Sequence, residues 1–126
     1  MQRFEWDATK DRTNQRKHGF GFRTAARVFE DPNIVLIEDR IDEEGEQRWH
    51  ALGMVGGRFL LIVVHVYRES ENGEEIIRII SAREANQHEG RVYFQQAADE
   101  AAAASARPAS DQTGIRNRLL RYSTAI

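Results

Sequence analysis

Arginines recur on the strand-like segments in the middle of the 126-residue chain. Three of them, Arg48, Arg68 and Arg83, lie on or at the ends of neighbouring predicted strands. A guanidinium group is planar and charged, and its fork of N–H groups matches the oxygens of a phosphate. Such groups also stabilise the negative charge that grows during phosphoryl chemistry. We therefore predict that these arginines converge on one phosphate-binding patch, to which Ser81 adds a hydrogen bond.

Salt bridges offer an alternative explanation for the same arginines. The acidic side chains that could pair with them are Glu38, Asp39, Glu74 and Glu75. An arginine that is neutralised by a carboxylate needs no substrate to explain its position. The sequence leaves both interpretations open.

Two histidines, His18 and His65, are candidates for proton transfer. Histidine changes its charge near neutral pH, whereas arginine effectively cannot. His18 lies between Lys17 and Gly19, a combination that also ends a helix without any function, because cations and a left-handed glycine are favourable there. His65 lies between two valines on a predicted strand, where a buried structural histidine is the alternative.

An acidic loop suggests a third kind of chemistry, metal-dependent hydrolysis. Its carboxylates are Asp39, Asp42, Glu43 and Glu44. They are oxygen ligands of the type that Mg²⁺ and Ca²⁺ prefer, but no second acidic cluster fixes their geometry. The sequence also has no cysteine, no glycine-rich phosphate loop and neither the G-x-S-x-G nor the H-E-x-x-H motif. We therefore predict chemistry without a metal and without a cofactor.

Composition is that of one globular domain. The chain is 40% hydrophobic and 30% charged, and its 18 basic and 20 acidic residues give a net charge of −2. Overall charge therefore does not steer nucleic acid towards it. The longest apolar run, residues 59–64, is far shorter than the ~18 residues of a membrane span. The first ten residues lack the apolar segment of a secretory signal, so we expect a cytoplasmic protein without a membrane partner.

The candidate side chains depend on a predicted sheet. Its main strands are residues 34–37, 47–55, 58–68 and 76–83, with residues 3–6 as a short edge strand. Turn signals at Gly56–Gly57 and Asn72–Gly73 connect the last three into an antiparallel meander. Alternation over residues 47–55 places Arg48 and His50 on one face. The four isoleucines of residues 76–83 predict a central strand that is covered on both faces.

Helices are predicted before and after these strands. Asp7 as N-cap and Gly19 as stop signal delimit a first helix that has almost no apolar stripe. The second helix ends at Asp31–Pro32, and its apolar face consists of Phe22, Ala25, Ala26 and Phe29. A third helix follows Arg83. We predict a folded domain at residues 1–94 and an Ala-rich, helical or disordered extension at residues 95–126, with a short basic helix at residues 115–122.

Several motifs of the chain together resemble the BrnT toxins of bacterial type II toxin–antitoxin systems. These motifs are FEWD at 4–7, Lys10, Asn14, KHG at 17–19, the helix with Phe22, Ala25 and Phe29, DP at 31–32, EQR at 46–48, LG at 52–53, HVYR at 65–68 and RIISAR at 78–83. Each motif is common alone, but their order and spacing over residues 1–93 are specific.

The resemblance implies a RelE-like α+β fold, an antiparallel β-sheet meander with two N-terminal helices packed on it and a C-terminal helix. It also implies a metal-independent RNA endonuclease that inhibits translation and is neutralised by a BrnA-type ribbon-helix-helix antitoxin. Operator DNA would be bound only through the complex with that antitoxin. The residues that stand at the family's motifs are Lys17, His18, Arg48, Arg68, Ser81 and Arg83.

We expect the RNA 2′-hydroxyl to attack the adjacent phosphate while His18 or His65 transfers a proton and arginines stabilise the developing charge. The alternative is a non-catalytic module whose arginine patch binds the antitoxin or operator DNA and takes part in transcriptional autoregulation. The sequence favours the enzyme only through the resemblance.

Overall fold

The structure is a computed structural model that describes residues 2–106, and its fold is α+β. The strands are β1 (Arg3–Glu5), β2 (Val35–Ile41), β3 (Gln47–Val55), β4 (Phe59–Glu69) and β5 (Glu75–Glu84). The α-helices are α1 (Ala8–His18), α2 (Phe22–Ala26) and α3 (Gln87–Ala106), and a 3₁₀ helix (Arg27–Glu30) follows α2. The elements predicted for the described residues are all present.

The five strands form one mixed sheet in the order β1-β5-β4-β3-β2. Strands β2 to β5 are antiparallel neighbours, as the predicted meander requires. Strand β1 instead runs parallel to β5, with Arg3 opposite Ile76. The prediction of a purely antiparallel sheet is therefore wrong. Alternation of side chains is the same in both directions along a strand, so a three-residue segment carries no signal of its orientation.

The isoleucine-rich strand β5 lies beside the centre of the sheet, which is β4. Ile77 and Ile79 are buried, whereas Ile76 and Ile80 are partly exposed. The prediction that β5 is covered on both faces is therefore wrong. Ile80 has no partner in β4, and this β-bulge interrupts the alternation of faces along the strand.

The two faces of the sheet are covered to different extents. On the first, which we call the helix face, α1, α2 and the 3₁₀ helix pack over a core that includes Phe22, Leu61 and Ile77. On the second face, α3 covers one end through Tyr93, which packs with Leu52 and other apolar side chains. The rest of the second face carries the arginines of β3, β4 and β5, and we call it the arginine face.

Helix α1 has a polar stripe where an amphipathic helix has an apolar one. Asp11, Asn14 and His18 are its buried or half-buried side chains, and they are spaced at helical intervals. Asn14 donates to the carbonyl oxygens of Phe20 and Ala82, both at 2.8 Å, and accepts from the Ala82 N–H at 3.1 Å. Its side-chain amide thus pairs with the edge of β5 beyond the end of β1.

The helix ends follow the predicted caps. Asp7 accepts the N–H of Lys10 at 2.9 Å, and Gly19 has a φ of 83°, in the left-handed region that favours glycine. The single helix predicted for residues 22–29 is in fact α2 followed by the 3₁₀ helix. This tighter turn stacks every third residue, so the buried stripe continues through Val28.

The 3₁₀ helix packs directly on a glycine of β3. A Cβ atom at Gly53 would lie 2.6 Å from a methyl carbon of Val28 and 2.9 Å from its carbonyl oxygen. Only the absence of a side chain at Gly53 allows the helical segment to approach the sheet this closely.

Helix α3 continues without a break across the predicted boundary between residues 94 and 95. Gln96, just beyond that boundary, is fully buried. The division into a domain of residues 1–94 and an extension of residues 95–126 stays a prediction. The helix predicted at residues 115–122 lies outside the described residues.

We predict that Asn14→Ala lowers the free energy of unfolding by about 2 kcal/mol or more, because it leaves buried backbone groups of Ala82 and Phe20 without partners. Chemical denaturation of the two proteins measures the difference. Gln15→Ala, an exposed change on the same helix, should stay within about 0.5 kcal/mol of wild type. Equal stability of the Asn14 and Gln15 variants would contradict this role for Asn14.

Candidate active site

The register of the sheet determines which candidate side chains share the arginine face. His50 pairs with Val64, and Val64 with Ser81, which places Ser81 in the same cross-strand row. Arg68 pairs with Ile76, and Arg83 with Ile62, whose side chain lies in the core under α3. Arg48 is two residues from His50 and therefore points to the same side. The predicted residues Arg48, Arg68, Ser81 and Arg83 thus lie on one face.

Arg48 is anchored at one end of its guanidinium group. Its Nε donates to the Asp42 carboxylate at 3.2 Å, and its side chain is 25% exposed. Within the described residues, its two terminal nitrogens have no hydrogen-bond acceptor. A ligand with acidic oxygens could therefore accept from them while the Asp42 contact keeps the group oriented.

Asp42 is itself committed to the turn between β2 and β3. It accepts backbone N–H groups from Glu44 at 2.9 Å and from Glu46 at 3.0 Å. The N–H of Glu46 is the main cause that lowers the pKa of Asp42, burial opposes it, and Arg48 adds to the lowering. This carboxylate therefore organises the acidic loop and orients Arg48.

Arg68 is the centre of an ion-pair network. Its Nε and Nη2 donate to Glu46 at 3.0 and 2.9 Å, and its Nη1 donates to Glu5 at 3.4 Å. Glu5 also lies 3.4 Å from Nη1 of Arg78. The hydrogen bond from Arg68 lowers the pKa of Glu46, and the same bond raises the pKa of Arg68. The network ties β1 to β5, to β4 and to the turn that precedes β3.

Arg83 binds the start of α3. Its Nη1 and Nη2 donate to the two oxygens of Glu89 at 2.8 and 2.7 Å, and Glu89 is only 1% exposed. Glu89 also accepts the N–H of Asn86, whose side chain accepts the N–H of Glu89 in return, both at 2.8 Å. This reciprocal pair is a capping box. Arg83 therefore fixes α3 to β5, whereas the sequence predicted that it binds a phosphate.

The pairing of the arginines differs from both interpretations of the sequence. Arginines without acidic partners were predicted, yet Arg48, Arg68 and Arg83 each contact a carboxylate. The partners that were named as alternatives are also wrong for these three. The actual partners come from β1, from the turn before β3 and from α3.

His65 lies in the core of the helix face. It is 0% exposed, and its ring packs edge-on against Phe29 and Tyr67, with ring centroids 4.9 Å away in each case. Burial lowers its pKa to about 4, so the ring is neutral at pH 7. The sheet separates its ring from the arginines, so His65 does not face a substrate that binds on the arginine face.

Lys17 and His18 lie at the edge of the sheet. They belong to the last turn of α1, one turn beyond the contact between Asn14 and Ala82. Lys17 is exposed and His18 is half-buried. Within residues 2–106 neither side chain forms a salt bridge. These two predicted residues are therefore beside β5 rather than on the arginine face.

Family membership follows from the comparison of the sequence with known families. Residues 6–89, which contain all seven predicted site residues, match the family described as "Ribonuclease toxin, BrnT, of type II toxin-antitoxin system". The chain belongs to the BrnT toxin family. Membership in this family implies an RNA substrate and an antitoxin partner.

The chain is also similar to a solved structure. The 1.1 Å crystal structure of the Brucella abortus ribonuclease toxin BrnT is 24% identical in sequence. The match covers 69% of this chain and 99% of that chain, with a TM-score of 0.46. A comparison with curated protein sequences gives no significant match.

His50 of this BrnT chain lies on the arginine face, as the alternation of β3 predicted, but it was not among the predicted site residues. Its Nε2 lies 3.0 Å from a carboxylate oxygen of Asp39. Its Nδ1 is buried and has no partner among the described residues. The alternation of residues 47–55 was the feature of the sequence that could have identified His50 as a site residue. The N-x-x-E spacing of Asn86 and Glu89 was the feature that could have predicted the capping box.

Residues 2–106 of the BrnT chain contain neither a grouped set of metal ligands nor a membrane-spanning helix. Within this range, no three histidine or acidic side chains are grouped as ligands for a metal ion. No helix of the same range is both long and apolar enough to cross a membrane.

We predict that Glu89→Gln destabilises the protein at neutral pH by about 2 kcal/mol, because a charged hydrogen bond is replaced by a weaker one. Burial raises the pKa of Glu89, but hydrogen bonds from Arg83 and Asn86 outweigh burial and lower it below the ordinary 4.5. A lowered pKa means that this stabilisation is complete above about pH 4.5 and is lost at lower pH.

Denaturation of wild type and Glu89→Gln across pH 3–7 measures this dependence. The difference in stability should be largest near pH 7 and should shrink as wild-type Glu89 becomes protonated. A difference that is constant with pH would show that the carboxylate charge contributes nothing. Glu84→Gln, an exposed change at the end of β5, is the control.

Proposed function

We propose that this chain is a ribonuclease toxin that cleaves RNA without a metal ion and thereby inhibits translation. In this proposal it acts in the cytoplasm, has a RelE-like fold and is neutralised by a BrnA-type ribbon-helix-helix antitoxin. It contacts operator DNA only through the complex with that antitoxin. Support comes from membership in the BrnT family and from the motifs at residues 1–93.

The reaction is a transesterification within the RNA. The 2′-oxygen forms a bond to the adjacent phosphorus, and the bond from phosphorus to the 5′-oxygen breaks. A base takes the proton of the 2′-hydroxyl, and an acid gives a proton to the leaving 5′-oxygen. Cationic groups stabilise the additional negative charge on the phosphate oxygens in the transition state.

The orientation of Arg48 is the observation that best supports this chemistry. Its Nε is held by Asp42, and its two terminal nitrogens are available to a phosphate. Trp49 pairs with His65 and Arg78 with Val66, so Arg48 and Arg78 lie in one row on either side of Val66. Two strand spacings separate their backbones by about 10 Å. A phosphate could bind between these side chains.

The other predicted site residues support the site without a demonstrated contact to a phosphate. Ser81 is half-buried on the same face and makes no side-chain hydrogen bond within residues 2–106. Arg68 and Arg83 are held by Glu46 and Glu89, so we assign them the positioning of the strands around the site. Lys17 supplies a cation at the edge of β5.

His18, at the edge of β5, and His50, on the same face as Arg48, are our two candidates for proton transfer. His18 is half-buried at the end of α1, beside the exposed Lys17. His50 lies on the arginine face, where Asp39 accepts a hydrogen from its Nε2 and thereby orients the ring. That arrangement leaves Nδ1 as the basic nitrogen of the neutral ring, but Nδ1 is buried.

The second candidate function is a non-catalytic module that binds the antitoxin or operator DNA. The observation that favours it is the neutralisation of Arg68 and Arg83 by carboxylates, which leaves them few free donors for chemistry. Cleavage of RNA by the purified chain distinguishes the two functions.

We predict that the purified chain cleaves RNA in the presence of EDTA and that Arg48→Ala lowers the rate by about 10²–10³-fold, because it removes donors to the phosphate. Arg58→Ala should cleave at the wild-type rate, since Arg58 is exposed and stacks on Phe59 at 5.4 Å. Cleavage that stops with EDTA and returns with Mg²⁺ would instead support a metal-dependent reaction.

A second pair of variants tests the histidines. His18→Ala should lower the cleavage rate by about 10²–10⁴-fold if it is the base or the acid. His65→Gln should lower the melting temperature, because it disturbs the core, and leave the rate of the folded fraction unchanged. If His65→Gln lost most of its cleavage rate without a change in melting temperature, His65 would be part of the active site. If His18→Ala cleaved at the wild-type rate, His50 would be the next residue to test.

A further inference from the structure

Helix α1 carries a dense set of exposed positive charges. Lys10, Arg12, Arg16 and Lys17 are all exposed, and we call these four side chains the α1 basic surface. The helix contains one acid, Asp11, which is half-buried and accepts the N–H of Phe22 at 2.7 Å. Asp11 therefore caps the next helix and faces away from the exposed cations.

Within residues 2–106, these cations lack the carboxylate contacts that hold the arginines of the strands. Among the described residues, none of the four forms a salt bridge. Arg12 and Arg16 donate only to the neutral hydroxyls of Thr9 and Thr13, at 3.3 and 3.5 Å. The backbone N–H of Lys10 is the main cause that lowers the pKa of the capping carboxylate of Asp7. The charge of the Lys10 side chain adds to this lowering. The α1 basic surface thus keeps most of its charge uncompensated.

The spacing of the charges is unfavourable for an isolated helix. Arg12 and Arg16 are four residues apart and so lie next to each other, which destabilises a helix by a few tenths of a kcal/mol. They lie opposite the inward stripe of Asp11, Asn14 and His18, so they contribute nothing to packing. From Lys10 to Lys17 the surface extends about 10 Å along the helix axis. An anionic ligand with regularly spaced charges would relieve the repulsion.

We propose that the α1 basic surface binds the phosphate backbone of the RNA substrate, independently of its sequence. This inference rests on the proposed function. Because the whole chain has a net charge of −2, attraction of RNA has to be local. RNA is favoured over an acidic protein segment because the surface ends at Lys17 and His18, which the proposed function gives the roles of a cation at the edge of β5 and a candidate for proton transfer. The strand is then held along α1 and led to the edge of β5.

The test is the affinity of the full chain for single-stranded 2′-O-methyl RNA of mixed sequence, which cannot undergo attack by the 2′-oxygen. Arg12→Gln/Arg16→Gln should bind this probe about 10- to 30-fold more weakly at ~0.1 M NaCl, because two phosphate contacts are lost. The slope of log affinity against log salt concentration should fall by about 1.4.

A matched control removes the same charge elsewhere. Arg40→Gln/Arg58→Gln changes two exposed arginines that form no salt bridge within residues 2–106. This control should keep the wild-type affinity and salt slope. An equal loss in both double variants would mean that only total charge matters and would overturn the proposal.

Cleavage in EDTA, measured on the same preparations, separates this inference from the proposed function. A wild type that binds the probe and does not cleave RNA would refute the ribonuclease, while a specific loss in the α1 variant would still support the surface. A wild type that cleaves RNA, with an α1 variant that binds as tightly, would refute only the surface. Loss of antitoxin affinity with normal RNA affinity would assign the surface to the antitoxin and overturn the proposal.

Discussion

The side-chain amide of Asn14 takes over the hydrogen bonding of the sheet where β1 ends. Strand β5 continues beyond its short parallel partner, and there Ala82 would have unpaired backbone groups. Buried N–H and C=O groups without partners are costly, so this edge has to be covered by a polar group. Helix α1 supplies that group and is thereby fixed along β5. The positions of Lys17 and His18 follow from this contact.

Charge is distributed in two different ways in the molecule. On the arginine face, carboxylates from other elements hold Arg68 and Arg83 in fixed orientations, and Arg48 keeps two terminal nitrogens available. On α1, by contrast, the cations face solvent and form no salt bridge with any residue of the described range 2–106. A held guanidinium is suited to meet one phosphate in a defined geometry, whereas exposed surface cations attract a polyanion at longer range. The two arrangements therefore suit successive stages of binding one RNA strand.

Local signals in the sequence were sufficient for most of the elements. The caps Asp7 and Gly19 located α1, and alternation placed Arg48 and His50 on one face. The orientation of β1 could not be predicted, because its partner strand lies about 70 residues later and pattern alone has no direction. The contact of Arg83 with Glu89 was missed for a related reason. It depends on the angle at which α3 leaves the sheet, which no periodicity encodes.

The same non-local pairing has a consequence for synthesis of the protein. Asn14 and Ala82 are 68 residues apart in sequence, and β1 can pair only after β5 has been made. Contacts between such distant segments form slowly, because the chain first has to close a long loop. Neither the anchored α1 nor the capped α3 can therefore be complete while β5 is still within the ribosome. This edge of the sheet can therefore be assembled only after nearly the whole domain has emerged from the ribosome.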